Sequence, residues 1–297
     1  MKKNLCFVMG LSVMLVMAFA ATAAAQRTVG GEVAKNAAAY FAEFPADGNV
    51  IRPDMLFSKI TGGEDVFIID VRRPADYAKG HLKGAVNLSF FDRSVSDALE
   101  MIPNDKPVFV YCYTGQAAAQ VTVLLNLAGK AAKSVQSGFD NGVSKTDGHA
   151  ALLEQTANPL PDKAYPVADD DLKLAVKLYF MGKEARNNTE FANYNLSAAT
   201  LKGFVDAKNP DYLIVSARRA DDYAKGHIPT ARNIPFGRGM ETGLAALPKD
   251  KTIVVYCYTG QTAGQTMAVL RMMGYEAYSM SGGMNAWAKE GFETVAD

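Results

Sequence analysis

The chain has 297 residues, with 31 Lys plus Arg balanced by 31 Asp plus Glu and an apolar content of 49%. That length suits roughly two domains, the composition is that of an ordinary globular protein, and the zero net charge offers no strong field to nucleic acid or an anionic membrane surface. Three histidines and three cysteines without a Cys-x-x-Cys pair argue against a structural zinc site, so neither metal nor cofactor is expected.

Residues 1–25 read as a secretory signal. Lys2 and Lys3 give a positive start, Leu5 to Phe19 is apolar, and Ala23-Ala24-Ala25 supplies small residues for cleavage. An uncleaved N-terminal anchor is the alternative. Cys6 lies too early in the apolar run to accept a lipid and leaves with the signal. The mature chain then carries two cysteines in an exported, oxidising compartment, a periplasm, with no membrane attachment after the signal is removed.

A lead-in over 26–34 precedes a short amphipathic helix from Lys35 to about Phe44. Ile51 to Ile60 reads as a second helix with Pro53 in its first turn, broken by Gly62-Gly63. Val66 to Val71 is a continuous apolar strand, the pattern of a sheet buried on both faces. Arg72-Arg73-Pro74 ends it, Asp76 to His81 forms a short helix or turn, and Ala85 to Leu88 is another strand. Pro107 to Tyr111 is a buried strand that runs into Cys112. A helix to about Leu127, a strand near Lys133 to Gln136 and a short helix from Gly138 to Val143 complete the first half.

The second half repeats this order at a spacing of roughly 145 residues, the signature of duplicated domains. Tyr212 to Ala217 answers Val66 to Val71, and Asp222-Tyr223-Ala224-Lys225-Gly226-His227 reproduces the earlier hexapeptide letter for letter. Tyr179-Phe180 answers Tyr40-Phe41. The Pro-rich stretch Ala157 to Asp162 marks the join, and Asp169 to Met181 forms a helix with an acidic first turn. We therefore divide the chain into domain 1 (26–156), a linker (157–167) and domain 2 (168–297). Strands alternating with helices predict, in each domain, a small parallel sheet with helices on both faces, an α/β class whose ligands sit beyond the carboxyl ends of the strands.

Val-Tyr-Cys-Tyr-Thr-Gly-Gln occurs twice, over Val110–Gln116 and Val255–Gln261. Each copy sets one cysteine, Cys112 or Cys257, at a strand-to-helix turn, where turn amides and the helix N-terminus favour a thiolate or another anion and so a depressed thiol pKa. A buried structural cysteine is the plain alternative, and duplication of the whole turn weighs against it.

Together, Ile-Asp-Val-Arg, Tyr-Ala-Lys-Gly-His, Ala-x-Asn, Val-Tyr-Cys-x-x-Gly and Ser-Gly-Gly-x-x-x-Trp resemble the rhodanese sulfurtransferases. The resemblance runs from Ile68 to about Val143 in the first half and from Leu213 through Trp287 in the second. It implies two tandem rhodanese-like domains and a sulfurtransferase. The loop cysteine would take the outer sulfur of thiosulfate or a polysulfide as a persulfide, then pass it to cyanide, sulfite or a thiol, two displacements that divide one transfer. The partners so implied are small sulfur-containing molecules and a thiol or redox protein as acceptor. Catalysis falls to Cys257 and Cys112. Substrate binding falls to the loop residues Tyr258, Thr259, Gly260, Gln261 and Thr262 and their counterparts Tyr113, Thr114, Gly115 and Gln116, with Thr114, Gln116, Thr259 and Gln261 donating to a bound anion or simply shaping the loop, and Arg218 and Arg72 contacting anions or forming structural ion pairs. His81 and His227 are expected to make structural hydrogen bonds, and Trp287 to pack in the core.

Domain 2 keeps the fuller match, Ser281-Gly282-Gly283 with Trp287, where domain 1 has Ser137-Gly138-Phe139 and Val143. That points to Cys257 as the principal site, against the loss of an acid at Ser216, where domain 1 keeps Asp70. Neither loop carries Arg or Lys, which favours polysulfide over the thiosulfate dianion. Three other readings stand beside this one. A related Cys-based phosphatase needs an Arg where this chain has Ala118 and Ala263. A sulfur-carrier or redox-sensing binding module would load sulfur without turnover. A Cys112–Cys257 disulfide would need α-carbons within about 7 Å.

Overall fold

The computed structural model describes residues 31–297, so the signal segment, Cys6 and the first lead-in residues lie outside the described residues. Each half holds a five-stranded, all-parallel sheet. In domain 1 the order is β1-β6-β5-β2-β4, from Val50–Ile51, Ala132–Val135, Val108–Tyr111, Phe67–Asp70 and Ala85–Asn87. In domain 2 the order is β8-β12-β11-β9-β10, from Asn195–Leu196, Ala277–Met280, Thr252–Tyr256, Tyr212–Ser216 and Arg232–Asn233. The central strands β2 and β5 are buried at every residue, as their unbroken apolar runs predict. A small antiparallel pair, β3 (His81–Leu82) with β7 (Leu153–Glu154), closes one end of domain 1. Its counterpart in domain 2 is a single bridge between His227 and Val295.

Several boundaries differ from the sequence reading. The first described helix is Gly31–Ala38, four residues earlier than Lys35, because Val33 and Ala37 at i, i+4 face the core. Val50–Ile51 is a strand and the following helix is Pro53–Thr61, with Pro53 at its start as expected.

The helices after the cysteine turns, Gln116–Leu127 and Gln261–Met272, pack against each other and form the seam between the domains. Both are buried around nearly their whole circumference, which fits their scarcity of charge. Small residues let them close: a Cβ on Gly264 would lie 2.7 Å from the Gln116 carbonyl oxygen. One apolar core runs through this seam from domain 1 into domain 2, and a second smaller one fills the far face of the domain 1 sheet.

The segments that lead into each domain are exchanged. Helix Gly31–Ala38 packs on Gln261–Met272 of domain 2, and Phe41 and Phe44 meet Phe236 edge to face at 5.6 and 5.2 Å between ring centroids. Helix Asp170–Glu184 packs on domain 1, with Phe180 against Phe90 at 5.9 Å and Tyr179 Oη donating to Gln120 Oε1 at 2.7 Å. The exchange is close to symmetric, since Gln120 Nε2 donates to Asn193 O and Gln265 Nε2 to Gly48 O.

Candidate active site

Cys112 and Cys257 stand at the carboxyl ends of β5 and β11, each three residues before a glycine in the left-handed region that opens the seam helix. Both are free thiols, 3% and 2% exposed. Gly115 N–H donates to Cys112 Sγ at 3.1 Å and Gly260 N–H to Cys257 Sγ at 3.1 Å. The amides of Ala118, Thr114 and Ala117 also turn toward Cys112 Sγ. The expected amide cradle is thus in place. Its expected effect on Cys112 is not: burial pushes this thiol above its ordinary value, and the four amides draw it back only in part. The sequence shows the turn but not how far the seam excludes water from the sulfur.

The back wall of each loop is a glycine. Gly138 has φ +63°, and a Cβ there would lie 2.6 Å from Cys112 O and 2.7 Å from the amide nitrogens of Thr114 and Gly115. Gly283, at φ +56°, meets Cys257 O at 2.5 Å in the same way. Phe139 and Met284 N–H then donate to Cys112 O and Cys257 O, both at 2.7 Å. This register equates Gly138 with Gly283, so the position answering Trp287 is Gly142 rather than Val143. Trp287 is buried and donates from Nε1 to Glu293 O at 3.0 Å, a core residue as expected.

The remaining site residues divide. Thr114 and Thr259 are exposed and line a cleft described below, and Thr262 is half-buried on the first turn of its helix. Tyr113 and Tyr258 turn outward, each donating its hydroxyl to Asp76 or Asp222 and accepting from Arg73 or Arg219 N–H at 3.2 and 3.3 Å. Gln116 and Gln261 do not offer their amides to a substrate at their own loops. Gln116 Nε2 donates to Ser279 Oγ at 2.8 Å and Gln261 Nε2 to Ser134 Oγ at 2.9 Å, each in the other domain. Arg72 is withdrawn as well: 4% exposed, it pairs with Asp70 at 2.6 Å, donates to Gly80 O and stacks over the Phe139 ring at 3.8 Å. Arg218 is equally buried and donates to Gly226 O, but Ser216 leaves its Nε without a partner. His81 and His227 stack on Tyr77 and Tyr223 and bond their carbonyls through Nδ1 at 2.8 and 3.0 Å.

A cleft of about 620 Å³ opens beside Cys112 between the domains. Domain 1 lines it with Phe90, Phe91, Tyr113, Thr114 and Ala117, and domain 2 with Asn193, Asn195, Thr259, Ser281, Asn285 and Lys289. Lys289 is the charged residue of this lining, exposed at the rim. Sequence reasoning missed it because it lies 177 positions beyond the cysteine it approaches, with no local motif to mark it. Applying the 145-residue offset between Cys112 and Cys257, the counterpart of Lys289 is Ser144, so the two sites are not electrostatic equals.

The Rhodanese-like domain model matches residues 54–145 and 197–290. A protein of Allochromatium vinosum named sulfurtransferase is 34% identical over 91 residues, 30% of this chain and 84% of that protein. The thiosulfate sulfurtransferase PspE of Escherichia coli is 34% identical over 71 residues, 24% of this chain and 68% of its own length. This chain spans only 17% of a probable adenylyltransferase/sulfurtransferase MoeZ of Mycobacterium tuberculosis, at 39% identity and 22% of its own length. Among solved structures, a protein of Bacillus halodurans aligns at 29% identity and a TM-score of 0.32, covering 35% of this chain and 77% of that one.

Proposed function

Since the chain belongs to the rhodanese-like domain family through both of its halves and is a sulfurtransferase-type enzyme by its named relatives, we propose that Cys112 carries sulfane sulfur as a persulfide within the interdomain cleft. One observation carries this reading: a cysteine held in an amide cradle opens on a 620 Å³ cleft that Lys289 supplies with positive charge. The Cys112 thiolate attacks the outer sulfur of thiosulfate, the S–S bond of the donor breaks, and sulfite leaves with the bonding pair. Cyanide or a thiolate then attacks the outer sulfur of the persulfide, forming thiocyanate or a new persulfide and returning the Cys112 thiolate. Loop amides offset the anionic charge in both steps, and no metal is required.

Cys257 has the same cradle and the fuller sequence match, so it is the second site under this reading. Lys289 beside Cys112, against Ser144 at the corresponding place for Cys257, puts Cys112 first for a dianionic donor such as thiosulfate. Polysulfide, with more diffuse charge, suits either. The cleft is far roomier than thiosulfate needs, which supports a larger thiol as the acceptor, a small peptide thiol or a redox protein's cysteine. The N-terminal signal pattern supports an exported, periplasmic enzyme.

Mass spectrometry of the mature chain after incubation with thiosulfate, and separately with polysulfide, tests the proposal. A gain of one sulfur mapped to Cys112, removed by cyanide as thiocyanate, is expected. Sulfur found on Cys257 alone would move the reaction to domain 2. Sulfur that loads but resists cyanide and thiols would make the chain a carrier, and no gain at either cysteine would end the enzyme reading.

A further inference from the structure

The two cysteine loops stand side by side at the seam, and each is built partly by the other domain. Gln261, in the first turn after the Cys257 loop, accepts the Ser137 N–H through Oε1 at 3.0 Å. Its Nε2 donates to Ser134 Oγ at 2.9 Å and to Val135 O at 3.2 Å. These bonds pin the end of β6 and the turn Ser137–Gly138. Ser137 is held there at φ +59°, a left-handed conformation that a non-glycine residue keeps only where its surroundings enforce it. Gly138 of that turn is the back wall of the Cys112 loop. The Gln261 side chain also abuts Gly115, where an added Cβ would meet it at 2.8 Å. The Gly115 amide donates to Cys112 Sγ at 3.1 Å.

The arrangement returns in mirror form. Gln116, after the Cys112 loop, donates from Nε2 to Ser279 Oγ at 2.8 Å, to Asn195 Oδ1 at 3.2 Å and to Met280 O at 3.4 Å. This holds the end of β12, which leads into the Gly282–Gly283 wall of the Cys257 loop. A Cβ on Gly260 would meet the Gln116 side chain at 2.6 Å.

We propose that Gln116 and Gln261 are positioning residues that act across the domain boundary, each shaping the cysteine loop of the other domain rather than its own. The inference rests on the sulfurtransferase reading only in taking both cysteines as reactive. It follows that a change at either loop reaches the other through a single side chain, so the two cysteines do not react independently.

The test follows iodoacetamide alkylation against pH, together with sulfur loading, in the full chain carrying either Cys257→Ser or Cys112→Ser. With Cys112 as the remaining thiol, Gln261→Ala is expected to raise the alkylation midpoint by about half a unit, roughly a threefold loss of thiolate near neutral pH. Gln116→Ala in the same background is expected to move it less. With Cys257 remaining, the order reverses. Gln261→Met keeps the bulk against Gly115 but loses the bonds to Ser137, Ser134 and Val135 without adding a charge beside the thiolate, and gives an intermediate shift. If each glutamine moves only the cysteine of its own loop, the inference is wrong. Equal movement at both cysteines with a fall in Tm assigns the glutamines to general interface support, and is equally against it. Should the alanine variants fail to fold, Gln261→Met and Gln116→Met read the same crossed pattern. Alkylation needs no sulfur donor, so crossed shifts in a chain that loads no sulfur would reject the proposed activity and leave this inference standing.

Discussion

Replacing Asp70 by Ser would give domain 1 the arrangement that domain 2 already has. Asp70 is 0% exposed and accepts four bonds from Arg72: the backbone N–H at 2.9 Å, Nε at 3.1 and 3.0 Å, and Nη2 at 2.6 Å. Removing one partner of a buried pair strands the other charge and typically costs about 3–5 kcal/mol. Arg72 would keep the Gly80 carbonyl and the Phe139 ring, and a serine hydroxyl can take its backbone N–H, as Ser216 does for Arg218 at 3.4 Å. The expected loss is therefore at the lower end, about 3 kcal/mol, a fall in urea midpoint of about 1 M for the large m-value of a chain this long. The opposite change, Ser216→Asp, gives the Arg218 Nε the partner it lacks and should stabilise the protein by a smaller amount, about 1 kcal/mol. The assay is urea unfolding followed by far-ultraviolet circular dichroism and by fluorescence of Trp287, the single tryptophan, which reports domain 2. Coincident traces would license one free energy. A loss under about 1 kcal/mol for Asp70→Ser would show that the carboxylate is not what keeps the guanidinium buried.

Lys289→Ala, assayed with Cys257→Ser, should raise KM for thiosulfate at Cys112 by about fivefold, the effect of about 1 kcal/mol expected of an exposed cation. Polysulfide should be affected less, and equal losses for both donors would remove Lys289 from anion binding. Burial raises the Cys112 thiol pKa, so its alkylation rate should climb only as pH passes above the free-thiol value of about 8.5, and a midpoint below that value would mean the amide cradle outweighs burial. Glu276 should titrate at about 2, since Arg271 and Arg186 overcome the upward push of its burial. This depressed carboxylate contributes about 3 kcal/mol that is present above its ordinary 4.5 and lost as pH falls through about 2. Glu276→Gln should therefore lower Tm at pH 7 and narrow the difference at pH 2, and an unchanged Tm at pH 7 would refute the pairing.

The strands and the cysteine turns were legible because each rests on a short contiguous pattern. Val108 to Tyr111 is apolar throughout and ends at the turn, so its burial and the place of Cys112 follow together. The duplicated hexapeptide carried the structural part of His81 and His227 in the same way. Gln116 and Gln261 stayed open between binding an anion and shaping the loop, because a glutamine beside a reactive cysteine looks the same whether its amide faces a substrate or the neighbouring domain. One signal was there to be used: the helices that follow carry a single charged residue between them, Arg271, so neither had a face for water. Arg72 was partly legible, since Asp70 and Arg72 lie two residues apart and share one side of an extended chain. Lys289 and the two-residue strands β1 and β8 had no comparable signal, because their roles come from what folds against them.

The exchanged leading segments set an order on synthesis. When domain 1 has left the ribosome, Phe90 still lacks Phe180, which lies 90 positions further along the chain. Phe41 and Phe44 emerge early, yet must wait for Phe236 and the helix that ends at Met272. The earliest part of the described chain is thus among the last to dock, and both apolar faces stay open until almost the whole chain is available. Contacts of such long sequence separation close slowly and leave the nascent chain prone to association. A chaperone that holds the chain extended until release, or passage through a membrane before folding, would let both arms find their partners in one event.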